Sequence, residues 1–251
     1  MDSRPQRPYL LSEDPDAPFP PGAHALRRPD GLLAMGGDLS PRRLLNAYRH
    51  GIFPWYAEGQ PILWWCPDPR AVFRTDALRL SSRFRRSLRR SRWQVRADTA
   101  FDAVVAACAG TPRPGQDGTW ITDAMRMAYG RLHRLGHAHS VEVYDGPELV
   151  GGLYGVAVGR MFFGESMFSA RSGGSKVALA ALAGWLHARG WPLLDAQVEN
   201  PHLVSLGVER WPRTTFLSAV AGLARDSGMV GPWTAEFGRV EASALAGTTG
   251  R

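Results

Sequence analysis

The stretch HSVEVYDGPELVGGLYGVAVGRMFFGESMFS, His139 to Ser169, decides the fold. HSVEVYD alternates with period two, the spacing of a strand with one buried face. Gly146-Pro147 then breaks the chain, ELVGGLYGVAVG runs apolar, Gly159-Arg160 breaks it again, and MFFGESMFS follows. Three apolar runs joined by two Gly-containing turns give an antiparallel meander. Working outward, SGGSK leads into the apolar helix VALAALAGWLHARG, and PLLDAQV is a further strand. NPHLVSLG is a short helix, and Thr214 starts a last helix through Arg225. Upstream, AVFR at 71–74 is strand-like, and Ser81 or Ser82 caps a short helix. Asp98 is expected to cap a second helix with Phe101, Val104, Val105 and Cys108 inward. TPRPGQDG is a loop, and Thr122 caps a third helix that ends at Gly136.

The N-terminal part differs. Residues 1–30 are rich in Pro and lack periodicity. Ser40-Pro41 starts a helix with Leu44, Leu45 and Tyr48 on its apolar face and Gly51 at its end. The prolines and glycine of GIFPWYAEGQPILWWCPDPR forbid a long helix there. The expected fold class is α+β, by analogy with N-acetyltransferases of the GNAT type. A small irregular N-terminal domain covers 1–69, with 1–18 flexible. A GNAT-like domain with a mixed, largely antiparallel sheet flanked by helices covers 70–236, and 237–251 form a disordered tail.

Composition narrows the function. The 251 residues are 44% hydrophobic, as in a globular chain, and no run is long enough to span a membrane. The first residues lack the apolar centre of a secretion signal, so a cytoplasmic location is expected. Cys66 and Cys108 are far apart and have no metal-ligand spacing, so no metal site is expected. The net charge of +7 is local: Arg79 to Arg96 holds eight arginines and no acid, leaving the remainder at −1. Such a patch suits a polyanion. Lys176 is the sole lysine, so compositional bias explains the use of Arg but not its clustering.

Two features carry chemistry. Asp195 and Gln197 lie two residues apart in LLDAQV, which puts both on one face of a regular strand. Glu165 sits among Phe and Met side chains, a costly place for a carboxylate without a partner. No Ser-His-Asp set, activated Cys or Walker motif is evident.

Several blocks together resemble one family. They are PDGLLAMGGDLSPRRLLNAYRHGIFPWY, PILWWCPDPRAVF, GTWITDAM, AYGRLHRLGHAHSVEVYD, LVGGLYGVAVG, FFGESMFS, GSKVALAAL and LLDAQVENPHLVSLGVERWPR. In this order, over about residues 19 to 217, they look like the bacterial leucyl/phenylalanyl-tRNA–protein transferases. The resemblance implies transfer of Leu, Phe or Met from aminoacyl-tRNA to the α-amine of proteins with N-terminal Arg or Lys. The product is a signal for N-end-rule degradation. It also implies no cofactor, no metal and no membrane partner, and a monomer is expected. Asp195 and Gln197 would line the reaction centre, and Glu165 would meet the cationic acceptor. Leu153, Phe162, Met167, Leu179, Leu182 and Leu194 would line the donor side-chain pocket. At Leu182 and Leu186 the family pattern leads one to expect aromatics, which implies a different pocket shape. Trp55, Trp120 and Tyr129 would surround the 3′ adenosine of the tRNA, and Trp64 and Trp65 would pack. Arg85, Arg86, Arg89 and Arg90 would take acceptor-stem phosphates. The turn from Arg171 through Lys176 would face substrate. A CoA-dependent acetyltransferase, a peptidoglycan-type aminoacyl-tRNA transferase and a non-catalytic RNA-binding protein remain alternatives at this stage.

Overall fold

The computed structural model describes residues 7–111 and 120–247. In chain order the elements begin with β1 (Tyr9–Leu11), β2 (Leu32–Gly36), α1 (Pro41–Arg49), β3 (Phe53–Pro54) and β4 (Leu63–Trp65). There follow β5 (Arg70–Arg74), α2 (Ser82–Leu88), β6 (Gln94–Ala97), α3 (Phe101–Ala109) and α4 (Asp123–Arg134). Then come β7 (Ala138–Asp145), β8 (Glu148–Val158), β9 (Met161–Ser169), α5 (Gly174–Ala188) and β10 (Leu193–Gln197). The chain closes with α6 (Pro201–Ser205), β11 (Glu209–Trp211), α7 (Arg213–Leu223), α8 (Thr234–Phe237) and β12 (Val240–Glu241), before a 3₁₀ turn over Ala242–Gly247. This is a mixed α+β fold. An eight-stranded sheet runs β11-β5-β10-β9-β8-β7-β6-β12, and a four-stranded sheet runs β1-β2-β4-β3.

The meander is β7, β8 and β9, paired antiparallel. In the larger sheet β10 is parallel only to β9, and α5 makes the crossover between them. One face packs on α5, whose buried Val177, Leu179, Leu182 and Leu186 meet Val141, Val150, Phe162 and Leu194. The other face carries α3 and α4 and joins the core of the N-terminal unit around Tyr48, Phe53 and Trp64. Thr122 caps α4 as expected, its hydroxyl accepting from Met125 N–H at 3.2 Å.

Two register shifts shape the site. One lies in β9, where Tyr154 and Gly155 of β8 face Ser166 and Gly164 and leave Glu165 as the extra residue; a Cβ on Gly155 would come within 2.2 Å of the Phe163 carbonyl. The other lies in β10 between Asp195 and Gln197, and Gln197 has φ +60°. Pairing of β10 with β9 stops at Asp195 opposite Phe163, while β9 continues along β8 to Ser169. The two parallel strands therefore part just before Glu165. Bulges re-aim side chains in this way beside active sites.

Several expectations give way. Tyr9–Leu11 is a strand parallel to β2, held nearby by Arg43, which donates to the Ser12 and Asp14 carbonyls. It is thus an ordered part of the 1–18 segment expected to be flexible. The N-terminal unit is not irregular, because β3 and β4 pair across the connection at 55–62. Asp98 does not cap α3. It has φ +56° and instead accepts from His139 Nδ1, Ser140 N–H and Trp233 N–H, at 2.7–2.9 Å. The carboxylate of Glu142 meets the α3 N-terminus in its place, through Thr99 and Ala100 N–H. The segment after Phe237 is folded through residue 247, with β12 paired to β6 and Ala242, Leu245 and Ala246 buried. The remaining tail at 248–251, the first six residues, and most of the TPRPGQDG loop lie outside the described residues.

Trp233 ties this C-terminal segment to the core. It is 1% exposed, stacks on His139 at 3.7 Å and meets Phe162, Trp185 and Trp191. Trp233→Ala is expected to lower unfolding free energy by about 3–5 kcal/mol, the range for truncating a buried aromatic. Urea denaturation checks this, and a near-neutral change would mean that the segment contributes nothing.

Candidate active site

The parting of β9 and β10 opens a cavity of about 630 Å³. Its apolar lining includes Phe73, Leu153, Phe162, Met167, Leu179 and Leu194. Its polar and aromatic lining includes Trp55, Trp120, Gln197, Glu199, His202 and the buried Glu165. Five of the six residues expected around an apolar pocket thus converge here. Leu182 does not, because it sits on the turn of α5 that faces the sheet core and is fully buried there. Leu186 is likewise core, so neither leucine shapes this cavity.

Glu165 answers the question posed by its apolar neighbours. It is 8% exposed and forms no ion pair among the described residues. Three neutral donors hold it: Tyr48 Oη to Oε1 at 2.8 Å, Tyr129 Oη to Oε2 at 2.7 Å, and Gln197 Nε2 to Oε1 at 2.9 Å. The two tyrosine oxygens are themselves 2.6 Å apart. Burial raises the Glu165 pKa to about 7, more than these donors and Arg70 lower it. Burial also drives both tyrosines well above their ordinary value, with the Glu165 charge adding to the rise.

Tyr129 therefore does not stack on a base. Its ring is enclosed, edge-on to Tyr154, and its hydroxyl is committed to Glu165. Trp55 and Trp120 do border the cavity, and Trp55 is 37% exposed. Trp65 donates from its indole to the Trp55 carbonyl at 2.6 Å, and Trp64 is fully buried, so these two serve packing.

Asp195 and Gln197 do not share a face, because the bulge and positive φ at Gln197 break the alternation. Asp195 is wholly buried and bidentate to Arg70, at 2.8 Å through Nε and 2.6 Å through Nη2. Its Oδ1 also accepts the Gln197 N–H at 2.9 Å. Asp195 thus orients Gln197 through the backbone, and although it borders the cavity its side chain is wholly enclosed. Gln197 directs Nε2 to Glu165, and its Oε1 has no partner among the described residues, so it can accept a proton-bearing group.

The turn from Arg171 to Lys176 does not reach the cavity. Its Gly174 is there for close packing: a Cβ would lie 2.4 Å from the Val150 carbonyl. Lys176 lies over the Phe84 ring of α2 at 5.6 Å. Arg83, Arg86, Arg89 and Arg90 are exposed and Arg85 half-buried, and none of the five pairs with an acid among the described residues. Their helix lies close to the rim formed by α6, since Arg79 N–H donates to the Leu206 carbonyl at 2.8 Å. Among the described residues no group of three or more His, Cys, Asp or Glu could hold a metal ion. No helix among them is long and apolar enough to cross a membrane.

Comparison with known proteins fits this arrangement. The profile of the leucyl/phenylalanyl-tRNA protein transferase family matches residues 72–221, and that of its N-terminal domain matches 37–68. A leucyl/phenylalanyl-tRNA–protein transferase from Xanthomonas axonopodis pv. citri is 69% identical over 95% of this chain and 96% of its own length. The chain belongs to the leucyl/phenylalanyl-tRNA protein transferase family. It is therefore an aminoacyltransferase. A Xylella fastidiosa relative of the same name is 64% identical over 92% of this chain and 96% of its own. Among solved structures, L-PGS from Bacillus licheniformis is similar at 11% identity and TM-score 0.37, over 67% of this chain and 54% of that one. That likeness carries no argument.

Sequence reasoning within the family missed Tyr48 and Arg70. Tyr48 sits on the apolar stripe of α1 and reads as core, and Arg70 sits between a proline and a strand with no charge pattern around it. Neither pairing is local, at 117 and 125 residues of separation.

The raised Glu165 pKa has a stability consequence. Its folded value of about 7 exceeds the ordinary 4.5, so its contribution is full below the ordinary value and is lost as pH rises through the folded one. Glu165→Gln, which cannot ionise, should gain on the wild type by up to about 3 kcal/mol between about pH 4 and pH 8. Chemical denaturation of both proteins across that range checks the sign, and a wild type that gains on the variant would contradict it.

Proposed function

We propose that the protein transfers Leu, Phe or Met from aminoacyl-tRNA to the α-amine of proteins beginning with Arg or Lys, in the cytoplasm, and so marks them for N-end-rule degradation. The observation that carries this reading is one cavity that joins an apolar lining to a buried carboxyl group. The donor's side chain enters its apolar part, where Met167 and the leucines make an adaptable apolar surface. Polar side chains are rejected there because their hydrogen bonds would go unmet.

The reaction is aminolysis of an activated ester. It requires neither ATP nor a covalent enzyme intermediate, and it demands positioning, removal of an amine proton and stabilisation of the departing ribose oxygen. Gln197 accepts from the attacking amine through Oε1, held by Glu165 on one side and by Asp195 through the backbone on the other. Glu165 recognises the cationic acceptor, a role supported by a carboxyl that has only neutral partners. Trp55 and Trp120 stack on the 3′ adenosine, an interaction worth about 1–3 kcal/mol per base. Arg85, Arg86, Arg89 and Arg90 take backbone phosphates of the acceptor stem. The main domain is a GNAT-type fold in this reading, supported by the meander, the crossover helix and the parting of two parallel strands.

The test is a transfer assay with Phe-tRNA or Leu-tRNA and a peptide beginning with Arg. Labelled amino acid should appear on the peptide's α-amine, and its absence with a folded protein overturns the reading. The tRNA term should also respond to salt. Replacing Arg85, Arg86, Arg89 and Arg90 with Ala should weaken tRNA binding and flatten the log–log salt slope by about 3–4, near one per phosphate contact. An unchanged slope in filter binding would remove the arginines from the interface.

A further inference from the structure

Proton counting at Glu165 adds a residue to the site. Glu165, Tyr48 and Tyr129 form a closed triangle of oxygen contacts at 2.8, 2.7 and 2.6 Å. Each contact requires one hydrogen. The two hydroxyls supply only two, so an ionised Glu165 leaves one contact as lone pair against lone pair. A protonated Glu165 supplies the third. The ring then closes: Oε2–H donates to Tyr129, Tyr129 donates to Tyr48, and Tyr48 donates to Oε1. Gln197 Nε2 also donates to Oε1, which marks Oε1 as the carbonyl oxygen and fixes the direction of the ring.

We propose that Tyr48 is a positioning residue whose hydroxyl closes this ring, so that Glu165 holds a proton in the empty cleft and releases it to solvent when a cationic acceptor arrives. The groups facing Glu165 are consistent with this. Tyr48 comes from α1, Tyr129 from α4, Tyr154 from β8, and Gln197 and Asp195 from β10, while Arg70 from β5 is bound bidentate by Asp195. The nearby cation is therefore bound by its own partner, and burial outweighs the lowering from the tyrosine hydroxyls and Arg70. An arriving ammonium or guanidinium supplies the missing charge and favours the anion. The acceptor's identity rests on the function proposed above; the ring does not.

Infrared spectroscopy of the acceptor-free enzyme tests the ring without any need for turnover. A protonated-carboxyl band, absent from Glu165→Gln, should be present at about pH 6 and titrate near neutrality. Tyr48→Phe keeps the ring packed on Phe163 and removes only the hydroxyl. The proposal requires it to lower the band's midpoint, by about one pH unit, because the neutral form loses two hydrogen bonds while the anion loses one and is relieved of its lone-pair contact. Hydroxyls that merely solvate a carboxylate would give the opposite shift, and that result, or a missing band in the wild type, overturns the proposal. Tyr129→Phe reads the same direction should Tyr48→Phe not fold. A peptide beginning with Arg should then abolish the band, with proton release towards one per site in calorimetry in two buffers. A peptide that binds and leaves the band intact overturns the coupling. A peptide that does not bind overturns the acceptor assignment, while the band and its response to Tyr48→Phe still support the ring.

Discussion

The site depends on one buried ion pair. Arg70 and Asp195 are both fully enclosed, and the guanidinium lies between the rings of Phe53 and Phe216 at 4.7 and 4.5 Å. Those four residues come from β5, β10, the N-terminal sheet and α7, so a single contact locks two sheets and a helix around the end of β10. Such a pair adds little net stability, because desolvation offsets most of the attraction. Its effect is geometric. With one oxygen of Asp195 holding the Gln197 N–H, the pair fixes the bulge that turns β10 away from β9. Without that turn there is neither a cavity nor a Gln197 side chain aimed at Glu165.

Glu165 is held by the opposite strategy. A buried carboxylate is usually stabilised by a cation, as Asp195 is. Here three neutral groups satisfy its hydrogen bonds, and no cation touches it among the described residues. The difference between the two acids, 30 residues apart in sequence, is a difference of role. Asp195 is bound to Arg70 and organises backbone. Glu165 is a carboxyl poised near neutrality, where a modest change in its surroundings changes its charge.

Much of this was legible in the sequence, and for identifiable reasons. The meander, the capped helix from Thr122 and the apolar α5 follow from period, turn residues and caps, all of which are local. Glu165, Gln197 and most of the cavity lining were found because a family motif places them. The failures share a cause. Leu182, Tyr129 and the Arg171–Lys176 turn were assigned to substrate by motif alone, and each is consumed by a tertiary contact that no short stretch records. The bulge at Asp195–Gln197 defeated the period-two rule because no glycine announces it; Gln197 itself adopts the positive φ. The C-terminal segment after Phe237 looked too small and polar to fold, but it needs only Ala242, Leu245 and Ala246 to cover a sheet edge beside Trp233.

Under the proposed function, the lack of a cation at Glu165 among the described residues is also what lets one cavity serve two unlike ligands. An arginine of the protein in contact with Glu165 would fill its surroundings, and an acceptor would have to displace it at the full cost of two desolvated charges. Neutral donors avoid that competition. They leave the acid deep enough to feel low dielectric, where attraction to a cation is stronger than at the surface. They also leave the apolar lining uninterrupted from Leu194 and Met167 to Leu179. Under the proposed function, filling that part of the cavity with the donor's side chain expels water from beside the carboxyl and strengthens its pull on the acceptor. The pocket for one substrate and the recognition of the other are then parts of one electrostatic arrangement, created where β9 and β10 part.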